Sequence, residues 1–195
     1  MKKSKQVIHW LEGMEIHRKL VLEKFADVQT EHAELKKRFD ALVDDEAHFK
    51  ENAQERYELY DKMEDLYKDI RTVGKWLEHV SILLSPKIYM NRQLHTDITP
   101  WEVVEMCTPR KFIIREMCAK ETEESRQKRI ATFEPGGFIG HTDNYVQQWD
   151  IYPNEDPATQ HDVIVRLHND GYWYDVNGNQ YEMSSTPRKF YDFNF

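Results

Sequence analysis

The 195-residue chain has only two cysteines, seven glycines and seven prolines, and no apolar run of the length a membrane-spanning helix needs. Two thiols are too few for a disulfide framework, and no secretory leader pattern opens the chain, so the expectation is a soluble protein of a reducing compartment with no membrane partner. Positive charge is also short. Lys and Arg number 27 against 35 Asp and Glu, a formal charge of −8, which argues against a general nucleic-acid coat. What is plentiful is charge of both signs, at 32%, and aromatic rings, at 12%. The charge implies much solvated surface, and the rings are too many for a disordered chain.

Helix breakers are rarest at the start: Gly13 and Gly74 are isolated and no proline precedes Pro86, so residues 1–95 read as a long helical region. Val7, Leu11, Met14, Val21, Phe25, Val28, Leu35, Phe39 and Leu42 follow a heptad once Arg18 and His32 are admitted at seam positions. A second stripe runs through Phe49, Ala53, Tyr60, Met63, Tyr67, Ile70, Gly74, Leu77 and Leu84, with Arg56 and Ser81 as polar members and a flanking row at Leu59, Leu66, Val73 and Val80. The acidic cluster Asp44, Asp45, Glu46 interrupts the seam and reads as a helix end followed by an Asp N-cap. That gives two antiparallel helices of about 40 residues, each roughly 60 Å long. The unbroken heptad phase from Leu42 to Phe49 leaves one continuous helix as the alternative. Either form exposes seam surface that one chain struggles to cover, so a homodimer or higher oligomer through 1–95 is expected.

After Pro86 the helical pattern stops, and from Trp101 the period changes to two. Strands are predicted at Trp101–Met106, Lys111–Cys118, Arg129–Phe133, Tyr145–Tyr152, Asp162–His168, Tyr172–Asp175 and Gln180–Met183. Asn169-Asp170-Gly171 and Asn177-Gly178 supply the positive φ of tight turns, so the last three strands read as a meander. Val163, Val165 and Leu167 share one face and Ile164, Arg166 and His168 the other. Residues 120–128 are charged and read as an exposed loop or hairpin tip. The expected fold is α+β: an N-terminal coiled-coil hairpin over 1–95, followed by a small antiparallel β-sheet or barrel over 96–195.

Short motifs in the second half are Thr96-Asp97 before Trp101-Glu102-Val103-Val104-Glu105, Lys111-Phe112-Ile113-Ile114-Arg115, Thr142-Asp143, Arg166-Leu167 with Gly171-Tyr172-Trp173, and the closing Phe190-Tyr191-Asp192-Phe193-Asn194-Phe195. On these motifs the last 100 or so residues resemble a family of small uncharacterised proteins of bacteriophages and mobile elements. The resemblance implies a phage or prophage origin, a small β-domain and the cytoplasm of an infected or lysogenic bacterial host, and it brings no catalytic residue with it.

Catalytic constellations are thin. His95-Thr96-Asp97 and His141-Thr142-Asp143 repeat one tripeptide, and two His with two Asp are weak candidates for metal ligands or an acid–base pair. Thr-Asp also serves simply to hold backbone N–H groups in a turn. Cys107 and Cys118 lie on successive predicted strands, where they could face one another as small apolar groups. Glu134–Gly140 lacks the Lys-Ser/Thr of a phosphate loop and reads as an exposed docking loop or a wide turn. No cofactor is expected, and no enzyme activity.

Charge divides along the chain. Residues 1–95 are nearly neutral, whereas from His141 to Glu182 eight acids face the single Arg166. The expected function is therefore a non-enzymatic, phage-encoded interaction protein that binds and inhibits or redirects a host protein with a basic surface, counter-defence being one setting. Asp150, Asp162, Asp175, Tyr172, Tyr174 and Phe138 are the candidate contacts. The alternatives are a nucleic-acid-associated module using Arg126, Lys128 and Arg129, which is not favoured, and a structural protein of the virion.

Overall fold

The computed structural model describes residues 1–45, 48, 50–133 and 147–193. It divides into two compact units, Leu11–Leu84 and the remainder, Met1–Trp10 with Ser85–Phe195. The expected α+β arrangement of helical hairpin and antiparallel barrel is what the chain forms.

The first unit is a pair of antiparallel helices, α1 (Lys5–Asp44) and α2 (Ala53–Leu83). At 1.5 Å per residue they are about 60 and about 46 Å long. Three ring pairs fix the alignment: His17 meets Trp76 edge-on at 5.2 Å, and His32–Tyr67 and Phe39–Tyr60 are each 6.4 Å apart. The Arg38–Glu55 ion pair belongs to the same register. Ser4 caps α1, its Oγ accepting from the Val7 N–H at 3.2 Å. The helix ends at Asp44 as expected, but the residue before α2 is Asn52, which makes no side-chain cap bond. Asp45 instead accepts from the His48 N–H within the connection. Phe49, on which the continuous-helix alternative turned, lies outside the described residues.

In α1 the least exposed positions from Leu11 to Leu42 are the expected seam, Arg18 and His32 included. α2 departs from expectation. Its seam runs through Arg56, Leu59, Met63, Leu66, Ile70, Val73, Leu77 and Val80, so the row read as flanking lies inside, while Tyr60, Tyr67 and Ser81 are exposed. Both rows share every second member and have the same 3–4 spacing, so period alone does not separate them. Side-chain chemistry does: Leu and Val have nothing to lose by burial, whereas a phenol keeps its hydroxyl in water.

The second unit is built on a closed sheet. Strands β2 (Tyr89–Gln93), β3 (Ile98–Thr108), β4 (Lys111–Glu116), β7 (Asp162–Leu167), β8 (Trp173–Tyr174) and β9 (Gln180–Ser184) form a six-stranded barrel, because β3 pairs with β4 as well as with β2. All these pairings are antiparallel and join neighbours along the chain, with β9 returning to β2. β1 (Lys2–Lys3) adds in parallel beside Glu105 and Met106. Two register shifts in β3, after Val103 and after Met106, bend this long strand so that it serves β2 along one part and β1 along another. β1 and β2 both precede residue 96, where the sequence places the β region.

Cross-strand register selects the interior. Met90 lies opposite Trp101, Val103 opposite Ile114, Met106 opposite Phe112, Phe112 opposite Val165, and Trp173 opposite Tyr181, and all of these are buried. Phe112 and Trp173 stack at 4.2 Å across the lumen, and Trp101 meets Tyr181 edge-on at 5.7 Å. Val165 is buried and Ile164 exposed, as the alternation predicts. Both meander turns place glycine at positive φ, Gly171 at 87° and Gly178 at 78°. No other described residue has positive φ, so the asparagines before them stay in ordinary conformations.

Between β4 and β7 the chain leaves the barrel to form a two-stranded ribbon, β5 (Cys118–Glu121) with β6 (Trp149–Tyr152), and helix α3 (Glu123–Ala131). α3 corrects two expectations, an exposed loop over 120–128 and a strand at Arg129–Phe133. The reason is end chemistry: Thr122 Oγ1 accepts from the Ser125 N–H at 3.2 Å, Glu123 and Glu124 occupy the first turn, and Lys128 and Arg129 the last. The cysteines do not face each other. With Trp101 opposite Glu116, Cys118 falls at the opposite end of the β3–β4 pairing from Cys107. Each is free and partly exposed. Burial and the nearby Glu105 carboxylate push the Cys107 thiol up, away from thiolate reactivity.

Candidate partner-binding surface

The acidic residues singled out from the sequence fall into different environments. Asp162, at the start of β7, receives both Nε and Nη2 of Arg115 at 2.8 and 3.1 Å. Asp175 turns inward at the β8–β9 turn: Oδ1 accepts from the Asn177 and Asn179 N–H groups, both at 2.9 Å, and Oδ2 from Asn179 Nδ2 and the Tyr181 hydroxyl. Partial burial opposes ionisation of Asp175, but these bonds outweigh it and hold the carboxyl below its ordinary value. Tyr181, enclosed and facing that carboxylate, is pushed up. Arg92, opposite Tyr181, donates to Asn179 Oδ1 at 2.6 Å. This polar set ties the β8–β9 turn to β2 and β9.

Tyr172 and Tyr174 meet at the other meander turn. Asp170 Oδ1 accepts from the Tyr172 N–H at 3.0 Å and Oδ2 from the Tyr174 hydroxyl at 3.1 Å, while the Tyr174 ring lies 4.8 Å from His168. Those bonds lower the Asp170 carboxyl against slight desolvation, the Tyr172 N–H contributing most. Tyr172 itself is exposed. Phe138, His141 and Asp143 lie outside the described residues, as does all of Glu134–Gly140, where a docking loop or wide turn is expected.

Asp150 stands apart, on β6, opposite Lys120. Alternation along β6 turns Asp150 and Tyr152 outward and Trp149 and Ile151 inward. The chain then enters a turn that ties itself together: Asn154 Oδ1 accepts from the Asp156 N–H at 3.1 Å, Asp156 Oδ1 from the Ala158 N–H at 3.0 Å, and Gln160 Nε2 donates to the Asn154 carbonyl at 2.6 Å. Glu155 and Asp156 are thereby held out in solvent. Tyr152, Pro153, Glu155, Asp156 and Cys118 line an open depression of about 380 Å³. No salt bridge among the described residues reaches Asp150, Glu155 or Asp156. Sequence reasoning passed over Tyr152, Glu155 and Asp156 as contacts. The signal was available in Pro153-Asn154-Glu155-Asp156, a turn-forming run carrying adjacent acids directly after an aromatic strand end.

The basic residues of α3 are engaged at home. Lys128 pairs with Glu124 at 2.7 Å and Arg126 with Glu123 at 3.8 Å. Arg129 forks onto Glu121 at 3.1 and 2.9 Å, and its guanidinium lies 3.8 Å from the Phe193 ring centroid. The Arg129 fork is the main cause of a lowered Glu121 carboxyl, with the Ser125 hydroxyl adding to it against partial burial. Phe190–Phe193 are thus structural. Phe190 bridges to Ile98, the Tyr191 N–H and carbonyl bind both ends of the Gln147 amide, and the Asp192 N–H donates to Asp97 Oδ1 at 2.8 Å. Asp97 spends its carboxylate on that backbone bond, and His95 is exposed. Among the described residues no group of three His, Cys, Asp or Glu is placed to hold a metal, and no helix is long and apolar enough to cross a membrane.

No protein family, curated protein or solved structure matches this chain.

Proposed function

We propose that this is a non-enzymatic interaction protein whose β unit binds another protein through the acidic, aromatic surface of the β5–β6 ribbon. One observation carries the reading: Glu155 and Asp156 stand exposed beside Tyr152 and, among the described residues, no salt bridge reaches them or Asp150, which lies across from Lys120, whereas Asp162, Glu121 and Glu182 are paired to Arg115, Arg129 and Arg188. Unpaired like charges around a half-exposed ring favour a partner with a basic surface, the charges steering the encounter and the ring supplying contact area. Tyr172 and Asp170 offer a smaller patch of the same character. The motif resemblance to phage and mobile-element proteins supports a bacterial host protein as the partner and inhibition or redirection as the effect.

The test is a pull-down of the tagged full-length protein from bacterial lysate, with and without nuclease, beside the variant Asp150→Lys/Glu155→Lys/Asp156→Lys. A stoichiometric protein that survives nuclease and is lost with the variant is expected. Retention of that protein by the triple variant sinks the reading. Recovery of nucleic acid, lost when Arg126 and Lys128 are neutralised, replaces it with the α3 alternative.

A further inference from the structure

The hairpin has two unlike sides. One is closed by the His17–Trp76 contact and the Arg38–Glu55 ion pair and mixes charges of both signs, with Glu23, Lys24, Glu31 and Lys37 on α1 and Glu58, Lys62, Asp65 and Asp69 on α2. The opposite side carries Leu22, Ala26 and Ala33 from α1 beside Tyr60, Tyr67 and Gly74 from α2. In the antiparallel register Leu22 and Gly74 fall within a turn of each other. A β-carbon added at Gly74 would meet no atom within 4 Å, so this position faces open space. Leu22, Tyr60 and Tyr67 are 40%, 54% and 56% exposed. Near the end of the hairpin the same side opens into a cleft of about 440 Å³ between Phe39, Val43, Tyr57 and Tyr60.

We infer that a second copy of this chain covers this side, two hairpins packing as a four-helix bundle. This is independent of the partner proposed for the β unit. Charge permits this occupant. Lys36 and Glu64 on this side are already paired within their own copy, to Asp40 at 2.9 Å and Lys68 at 3.2 Å, and the same rows carry Glu15 and Glu78 with Lys19 and Arg71, so this side presents both signs to a copy of itself. The size is sufficient: a face about 30 Å long and about 20 Å wide covers about 600 Å² per copy, about 1,200 Å² in all, the lower end of stable interfaces. The two-helix layer also leaves its own seam half-covered, since Met14 to Leu42 of α1 includes no fully buried residue. A bundle of four helices completes that core by the ordinary rules of helix packing.

Light scattering over a dilution series, with helicity followed by circular dichroism, decides it. The unmodified protein is expected at twice its chain mass of 23.5 kDa. Tyr60→Glu/Tyr67→Glu is expected to raise the dimer dissociation constant at least about a hundredfold while keeping monomer helicity, as two lost interface anchors would. Should that variant lose its helices, Gly74→Arg, placed where the monomer has open space, asks the same question. Leu20→Glu, on an outward row of α1 away from this face, is expected to leave the dimer intact. A chain that stays at single mass throughout, or a dimer that survives both Tyr60→Glu/Tyr67→Glu and Gly74→Arg, overturns the inference.

Discussion

The two units bury apolar side chains by different means. In the hairpin, helices of 40 and 31 residues fully enclose, among the described residues of 11–84, only Leu11, Leu59, Leu77, Val80 and Leu83. The barrel, built from strands of two to eleven residues, encloses Trp173, Tyr181, Phe112, Met90, Met106 and Ile114 almost completely. Two helices form a layer with two open sides, whereas a sheet closed on itself surrounds its lumen. A heptad therefore guarantees contact along a line, and only closure guarantees a core.

That contrast can be broken most sharply at Trp173. Trp173→Ala removes a ring stacked on Phe112 within the closed lumen and is expected to cost about 3–5 kcal/mol. Leu66→Ala, at a half-covered seam position, should cost only about 1 kcal/mol. Urea unfolding followed by tryptophan fluorescence and by helical circular dichroism compares the two, and equal losses would erase the distinction between layer and core.

Asp175 tests the polar set at the β8–β9 turn of the barrel. Replacing it by Asn leaves the enclosed Tyr181 hydroxyl and two turn N–H groups with weaker acceptors, a loss of about 1–3 kcal/mol. The pH dependence follows from the lowered carboxyls of Asp175 and Glu121. A carboxyl whose folded value lies below its unfolded one contributes fully above the ordinary range and loses that contribution as pH falls through the folded value. Stability of the β unit is thus expected to drop below about pH 4, with a shallower drop in Asp175→Asn. An unchanged acid profile in that variant would remove Asp175 from the account.

Arg129→Ala strips the fork from Glu121 and the cation from Phe193. A loss of about 1–3 kcal/mol is expected, because the pair is largely shielded from solvent. Lys128→Ala breaks only an exposed pair and should change stability by less than about 0.5 kcal/mol. Thermal melts of the two variants side by side check the ranking. The smallest effect belongs to the hairpin: Gly13→Ala, at a helical position with nothing within 4 Å, is expected to stabilise α1 by up to about 1 kcal/mol, visible as added helicity.

Much of this architecture was legible residue by residue. The α1 seam could be read with its two polar members in place, because an amphipathic helix shows its buried line through a 3.5-residue repeat that needs no knowledge of the partner. The strands at Lys111–Glu116 and Asp162–Leu167 showed their inner faces for the corresponding reason, a period of two. The α2 seam was read one row off, since adjacent rows satisfied the same spacing. α3 was missed because its apolar residues are too few to set a period, and its identity rests on Thr122 and the ordering of charge between its ends. The candidate surface was legible only in part. Asp150 could be singled out by charge, but so could Asp162 and Asp175, and nothing local says that Arg115 or Tyr181 takes those two.

The sequence alone determined the change from helix to strand after Pro86, the place where α1 ends, the positive φ at Gly171 and Gly178, and the concentration of acid in the second half. These are properties of neighbouring residues, set by backbone sterics and by periodicity along the chain. Only the tertiary structure decided that β9 returns to β2 to close a barrel, that the terminal Tyr191–Phe193 segment is a fastener rather than a free tail, and which acids remain without partners. Each depends on residues far apart in the chain meeting in space, and a charge is spent or left available according to what the folded chain brings beside it.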